Sequence, residues 1–514
     1  MTNLYTVLSD RFLQSPDKVA IQTPDTQWTY DQIEAGSAKL AHWLHQLNLE
    51  PQSRVVVQVE KSVQALLLYL ATLRAGLVYV PLNTAYTASE VAYFLGNAKP
   101  AVFVCDPERL AELEPIATEL GVAHVKTLDA NGLGSLIDAS VDAPETFENV
   151  ATATDDLAAI LYTSGTTGRS KGAMLTHGNL ISNARTLHEY WQWQSDDVLL
   201  HMLPIFHIHG LFVACHGALH AGACMVWLPK LDIEQALRWL PESTIMMGVP
   251  TYYVRLLNEP RFSAQVVPKM RLFVSGSAPL LPETFRSFQE KSGHVILERY
   301  GMSETGMLTS NPYEQAVDYR RTAGTVGMPL PGVDVRVVDD AQNPCTEGEV
   351  GHVQVRGANV FKGYWEMPEK TQEEFTADGW FRTGDMGCWG GPGVDGEPVN
   401  AAYLSIVGRS KDLIITGGYN VYPRELELLI DTFEGVEESA VVGVPHDDFG
   451  EAVAAVVVMR PGVTLDVDAM QSELKKQLAN YKVPKQICQV PSLPRNAMGK
   501  VQKNIIRDEM KACS

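Results

Sequence analysis

Residues 162–172 read Tyr162-Thr-Ser-Gly-Thr-Thr-Gly-Arg-Ser-Lys-Gly172, and the chain is organised around them. Glycines stand at Gly165, Gly168 and Gly172, hydroxyls at Thr163, Ser164, Thr166, Thr167 and Ser170, and cations at Arg169 and Lys171. Glycine lets a backbone turn tightly and aim several N–H groups at one anion. Hydroxyls and a lysine add further donors, so a polyphosphate fits this loop. The spacing is not that of a Walker A motif, because Gly165 and Gly168 lie too close and Lys171 is followed by glycine. An apolar run from Leu157 to Leu161 leads in and reads as a buried strand. Beyond Met174 and Leu175, Thr176 predicts the N-cap of a helix starting near Asn179.

Outward from the loop, the 514 residues suggest two to four domains at about 150 residues each. A composition of 45% hydrophobic and 20% charged residues is that of a soluble globular chain. The net charge of −20 speaks against a nucleic-acid surface, yet it permits an anionic ligand in a locally positive pocket. Seven cysteines are scattered without a Cys-x-x-Cys pair and read as reduced thiols. The first ten residues lack a basic segment, a long apolar run or the arginines of a transit peptide, so a cytoplasmic protein is expected. Apolar stretches such as Ala65 to Leu73 are too short to span a bilayer, and no membrane partner is expected.

Between residues 18 and 106, short Val-rich runs alternate with amphipathic segments such as 30–49 and 62–75, which predicts a mostly parallel sheet. Residues 324–408 change to short Val-rich strands broken by glycines, a β-subdomain. Residues 412–514 again alternate helix and strand.

Candidate residues cluster where strands end. Val198 to Gly210 is a strand running into a turn that carries His207 and His209. Two histidines without nearby Cys or carboxylates make a poor metal site, but sheets place ligands at strand C-termini. Arg271 opens an apolar strand whose C-terminal turn holds Ser275, Gly276 and Ser277. In Val295-Ile-Leu-Glu-Arg-Tyr-Gly-Met-Ser-Glu-Thr-Gly306, Tyr300 offers a flat face and Thr305 a donor, while Glu304 is a hard oxygen ligand suited to Mg²⁺ shared with phosphates. Asp385 could accept from two ribose hydroxyls, although an isolated Thr-Gly-Asp reads as a turn. Lys500, on a Gly-containing loop, reads alone as solvent-facing.

Ser164-Gly-Thr-Thr-Gly-Arg-Ser-Lys-Gly172 resembles the phosphate loop of adenylate-forming enzymes, the superfamily of acyl-CoA synthetases, luciferases and peptide-synthetase adenylation domains. The resemblance recurs in order along nearly the whole chain. It implies an α/β fold with a large, multi-layered N-terminal region, 1–410, including the β-subdomain, and a small mobile α+β lid, 411–514, hinged at Lys411. It implies ATP binding by Thr163, Ser164, Gly165, Thr166, Thr167, Gly168, Lys171, Ser277, Tyr300, Thr305, Asp385, Arg409 and Lys500. Glu304 would hold Mg²⁺, and Lys171, Glu304, Thr305 and Lys500 would serve catalysis. His207, Ser275, Gly276 and Met302 would line the acyl site; His209, to which the resemblance does not extend, is kept as a candidate supporting neighbour. Gly417, Gly418 and Tyr419 would enter with coenzyme A. Met307-Leu-Thr-Ser-Asn-Pro-Tyr313 resembles the malonyl-CoA synthetase branch, in which Arg271 would meet the distal carboxylate of malonate. The reaction implied is formation of an acyl-adenylate and its capture by coenzyme A, with malonate as the acid and methylmalonate as a second one. An aryl or short monocarboxylic acid is the alternative. A nucleotide-binding regulatory protein is the non-enzymatic one, against which Glu304 and Lys500 argue. No carrier domain follows residue 514, so a free thiol acceptor is expected.

Overall fold

The computed structural model describes residues 3–163, 170–394, 396–417, 419–446, 449–496 and 500–512. The chain forms two compact units, the first comprising 1–321, 327–334 and 355–381, the second 322–326, 335–354 and 382–514.

β-Branched runs that read as strands are strands. Val55, Val56 and Val57 in Arg54–Gln58 are buried, and this strand pairs in parallel with Val78–Pro81 on one side and Val102–Cys105 on the other. Among the described residues they belong to a seven-stranded sheet of the first unit, which continues through Leu157–Thr163 and Lys171–Thr176 to Gly363–Tyr364. Runs buried on both faces suit a parallel sheet covered by helices. The helices start where hydroxyl residues can accept from free N–H groups. Thr29, Thr87 and Thr176 each form a capping box, with Gln32, Glu90 and Asn179. The helix capped by Thr176 runs His177–Tyr190.

The nine-stranded sheet of the same unit places Leu297–Met302, Leu272–Ser275, Ile245–Gly248 and Val198–His201 side by side in parallel. All four therefore end at one edge, where Ser275, Gly276 and the turn after His201 stand. Among the elements that were not foreseen, three bear on the site or its surroundings. Lys171–Thr176 folds back antiparallel on Leu157–Thr163 instead of leading directly into the helix. Leu110–Glu119 is a helix within a stretch of mixed composition. His209–Cys215 winds as a π-helix.

In the second unit, a five-stranded sheet is built around the hairpin Val436–His446 and Gly450–Met459. Its side chains alternate between two cores: Val441, Val453, Ala455 and Val457 pack in one, Ala440, Val442, Ala454 and Val456 in the other. Helices Pro423–Ile430 and Val467–Gln477 cover the first face, and Lys503–Ala512 covers the second. The expected pairing of a large layered α/β region with a smaller α+β region is observed. No helix among the described residues is long and apolar enough to cross a membrane. The six described cysteines are unpaired.

Candidate active site

Ser164, Gly165, Thr166, Thr167 and Gly168 lie outside the described residues, as does Gly418. The two strands on either side of the expected phosphate loop, Leu157–Thr163 and Lys171–Thr176, are described. Thr163 and Lys171 are register partners across the antiparallel pair. The Thr163 hydroxyl donates to Oε1 of Glu304 at 3.3 Å, and the Tyr364 hydroxyl donates to the same oxygen at 3.0 Å. The Lys171 ammonium stands 4.2 Å from the centre of the Tyr364 ring and 3.4 Å from the Glu374 carboxylate. Tyr364 thus touches both charged residues at once, by its face and by its hydroxyl. The sequence reading missed Tyr364 and Glu374. Both lie in the segment that begins Gly363-Tyr-Trp, whose edge strand pairs with Lys171–Thr176.

Glu304 and Thr305 sit in the turn between Leu297–Met302 and Gly306–Ser310, where the ladder shifts register after Tyr300. Such a bulge re-aims side chains beside a site. Gly301 is required there, since a Cβ would lie 2.2 Å from the Gly306 carbonyl oxygen. Thr305 is buried, and its hydroxyl donates to the Gly306 carbonyl at 3.0 Å. Met302 is half-buried at the strand end. No group of three or more His, Cys, Asp or Glu side chains gathers as a metal site among the described residues. A carboxylate fixed by two hydroxyls, as Glu304 is, does fit Mg²⁺, which is held by few carboxylates together with substrate phosphates.

The strand ends of the nine-stranded sheet carry a second polar group of residues. His209 is fully buried, its Nδ1 lies 3.2 Å from the Ser277 hydroxyl, and its Nε2 has no hydrogen-bond partner. Burial, with the Arg299 charge adding to it, holds the His209 imidazole well below its ordinary pKa, so it is neutral. The His209 N–H donates to Nδ1 of His207 at 3.3 Å. Ser275 is buried with its hydroxyl unpartnered. Ser277 adopts φ +70°, a left-handed conformation that costs a non-glycine residue energy and concentrates at functional sites. Gly276 lies directly on Arg299, where a Cβ would stand 2.3 Å from the guanidinium carbon. Arg299 is 3% exposed, and its Nε and Nη2 have no hydrogen-bond partner. The sequence reading passed over this arginine, although it lies next to Tyr300.

Arg271 stands elsewhere. It precedes its strand, at the end opposite Ser275, and its guanidinium grips the Asp197 carboxylate through Nε at 2.7 Å and through Nη2. Nη1 donates to the Trp191 carbonyl at 3.1 Å. The expectation that Arg271 reads a distal carboxylate is corrected accordingly: its donors are committed to the framework, at the wrong edge of the sheet.

The remaining candidates belong to the second unit. Asp385 and Arg409 face each other across an antiparallel pair, with Arg409 Nε 2.8 Å from Asp385 Oδ1. Arg409 also donates to the Thr383 carbonyl at 3.3 Å. Burial holds the Lys411 amine below its ordinary pKa. Gly417 has φ +56° and donates its N–H to the Phe449 carbonyl at 2.9 Å, while the exposed Tyr419 stacks on Tyr481 at 4.6 Å. Lys500 is exposed, and its N–H donates to the Asn496 side chain at 3.0 Å.

Comparison with known proteins bears on this arrangement. The model of the AMP-binding enzyme family matches residues 8–365, and that of the AMP-binding enzyme C-terminal domain matches residues 425–500. The crystal structure of ATP-bound MatB from Rhodopseudomonas palustris is 50% identical in sequence, with a TM-score of 0.95 over 100% of this chain and 99% of that one. The mitochondrial malonate–CoA ligase ACSF3 of Homo sapiens is 33% identical over 541 residues, covering 96% of this chain and 90% of its own. An indoleacetate–CoA ligase of Aromatoleum aromaticum is also 33% identical, over 499 residues, covering 96% of this chain and 95% of its own.

Proposed function

The chain belongs to the AMP-binding enzyme family, and we propose that it joins malonate to coenzyme A using ATP, with release of AMP and diphosphate through a malonyl-adenylate. It is an AMP-forming acid–thiol ligase. Relatives at equal identity act on different acids by name, so the acid is argued from the site. The observation that carries malonate is Arg299. A buried guanidinium with two N–H groups unpartnered is costly, and an anion that reaches it removes that cost. A guanidinium grips a carboxylate through two parallel hydrogen bonds. In this reading Arg299, with His209 in its field, takes the distal carboxylate of a short diacid. A monocarboxylic acid would leave the guanidinium unpaired. Methylmalonate retains both carboxylates and is the second acid of the reading.

In the first step one malonate carboxylate attacks the α-phosphorus of ATP, the bond to the β-phosphate oxygen breaks, and diphosphate leaves. The carboxylate is already ionised and needs no base. Lys171 and the N–H groups of its loop would neutralise the phosphates, and Lys500 would meet the charge developing at the α-phosphate. Glu304, held by Thr163 and Tyr364, would carry Mg²⁺ jointly with the phosphates, and the ion when bound supplies charge neutralisation. Tyr300 would stack on adenine, and Asp385 with Arg409 would hold the ribose. In the second step the thiol sulfur of coenzyme A attacks the adenylate carbonyl, AMP leaves, and the thiol proton passes to solvent. Gly417, Gly418 and Tyr419 would form the edge that receives coenzyme A, with Lys411 as the pivot at the 410/411 boundary. A reducing compartment, the cytoplasm in this reading, suits the unpaired cysteines.

The test is a panel of acids with ATP, Mg²⁺ and coenzyme A. Malonate should exceed acetate, butyrate and coumarate in kcat/KM. A wild type that prefers butyrate or coumarate overturns the diacid reading and leaves the ligase assignment standing. Acid-independent ATP–diphosphate exchange would remove that too.

A further inference from the structure

Lys61, His201 and Gly210 form a buried chain that no step above uses. The Lys61 side chain is 8% exposed, and its Nζ has three acceptors: Nδ1 of His201 at 2.7 Å, the His201 carbonyl at 2.9 Å and the Leu228 carbonyl at 2.7 Å. The Trp227 ring centre lies 4.4 Å away. None of the acceptors is a carboxylate. Burial pulls the Lys61 amine down to about 7, as expected of a cation held without a counter-charge. A methionine at this place would fill similar space without that cost.

The ammonium changes the neighbouring histidine. An N–H aimed at Nδ1 makes that nitrogen the acceptor and leaves the imidazole proton on Nε2. Nε2 then donates to the Gly210 carbonyl at 2.9 Å. Cys215 Sγ lies 3.3 Å from the same nitrogen, and burial pushes its thiol up to about 12, which excludes a thiolate role. Gly210 is a pinch point, since a Cβ there would lie 2.1 Å from the Pro204 carbonyl oxygen. The carbonyl so held belongs to the residue after His209, at the start of the π-helix, and π-turns concentrate at functional sites.

We propose that Lys61 and His201 are positioning residues for the acyl site: together they clamp the Gly210 peptide and so fix His209 against Ser277 beside Arg299. The inference rests on the reading that this strand edge is the acyl site. Neither residue touches substrate. Their loss loosens the wall on which the acid is oriented, and misplacement of about 1 Å costs on the order of 10²-fold in rate.

Three variants test it: Lys61→Met, His201→Leu and His201→Gln. The glutamine amide restores an N–H near the position of the imidazole Nε2. Each is assayed with whichever acid the wild type prefers, so a wrong acid assignment shows in the wild type and a wrong positioning role only in the variants. His201→Leu and Lys61→Met should raise the acid KM roughly 10- to 100-fold while the ATP KM stays within about twofold. His201→Gln should recover most of that loss. A His201→Gln enzyme no better than His201→Leu overturns the proposal, as does an equal rise in the ATP and acid KM. Should Lys61→Met fail to fold, the two His201 variants decide alone.

Discussion

Two arginines stand at opposite edges of the nine-stranded sheet and have opposite surroundings. Arg271, at the edge where the parallel strands begin, has Asp197 on its fork, and the Thr244 hydroxyl donates to the same carboxylate at 2.7 Å. Arg299, beside the edge where Leu272–Ser275 ends, has Nε and Nη2 without a partner, and the Ser275 hydroxyl and His209 Nε2 are likewise unpartnered. Ser277 adds a strained backbone to that second edge. The arginine at one end of the sheet therefore has its donors satisfied, and the arginine at the other does not. An unpartnered buried donor calls for an explanation, whereas a completed ion pair is framework.

The sharpest way to break this contrast is Arg299→Met. It should lower kcat/KM for malonate by roughly 10²–10⁴-fold, because the distal carboxylate then loses its partner. Butyrate, which lacks that carboxylate, should change by less than about tenfold. The Tm should hold or rise, since an unpaired buried charge has been removed. Equal losses for both acids, or a large fall in Tm, would make Arg299 framework like its counterpart.

Arg271→Met should do the reverse. Asp197, whose side chain is 3% exposed, would be left buried without its cation, at a cost of about 3 kcal/mol. Thermal melting reads that loss, and the ratio of malonate to butyrate kcat/KM should stay unchanged. A shifted ratio would return Arg271 to the acyl site. The smallest effect is expected from Ser277→Gly. Glycine takes the positive φ without penalty and should stabilise the fold by about 1 kcal/mol. Removing the hydroxyl that meets His209 should cost malonate turnover a few-fold, measured as kcat/KM for the acid at saturating ATP.

The strands and the caps were legible because each is local: alternation of Val-rich runs, a Thr before a helix. Arg271 misled for a local reason as well, since it opens the strand that ends in Ser275-Gly-Ser. Strand polarity would have excluded it. Four residues at about 3.3 Å each place it roughly 13 Å from the end where ligands bind. Arg299 was overlooked because a Glu-Arg pair inside an apolar run says nothing about which side chain finds a partner. That is decided by Gly276 arriving from a neighbouring strand. Tyr364 and Lys61 were hidden likewise, since their partners lie 60 and 140 residues away.

The two-faced hairpin of the second unit has a consequence for how that unit assembles. Val441 faces Ala455 and Val442 faces Ala454, with each pair in a different core. Sliding one strand by a single residue would exchange the two faces and mismatch both cores together. Intermediate registers therefore gain little, and pairing is close to all-or-none. Its strands adjoin in the chain, so the loop to be closed is short and its entropy small. The hairpin is thus suited to form early and to serve as the template on which the helices Pro423–Ile430 and Lys503–Ala512, one before and one after it in sequence, later condense.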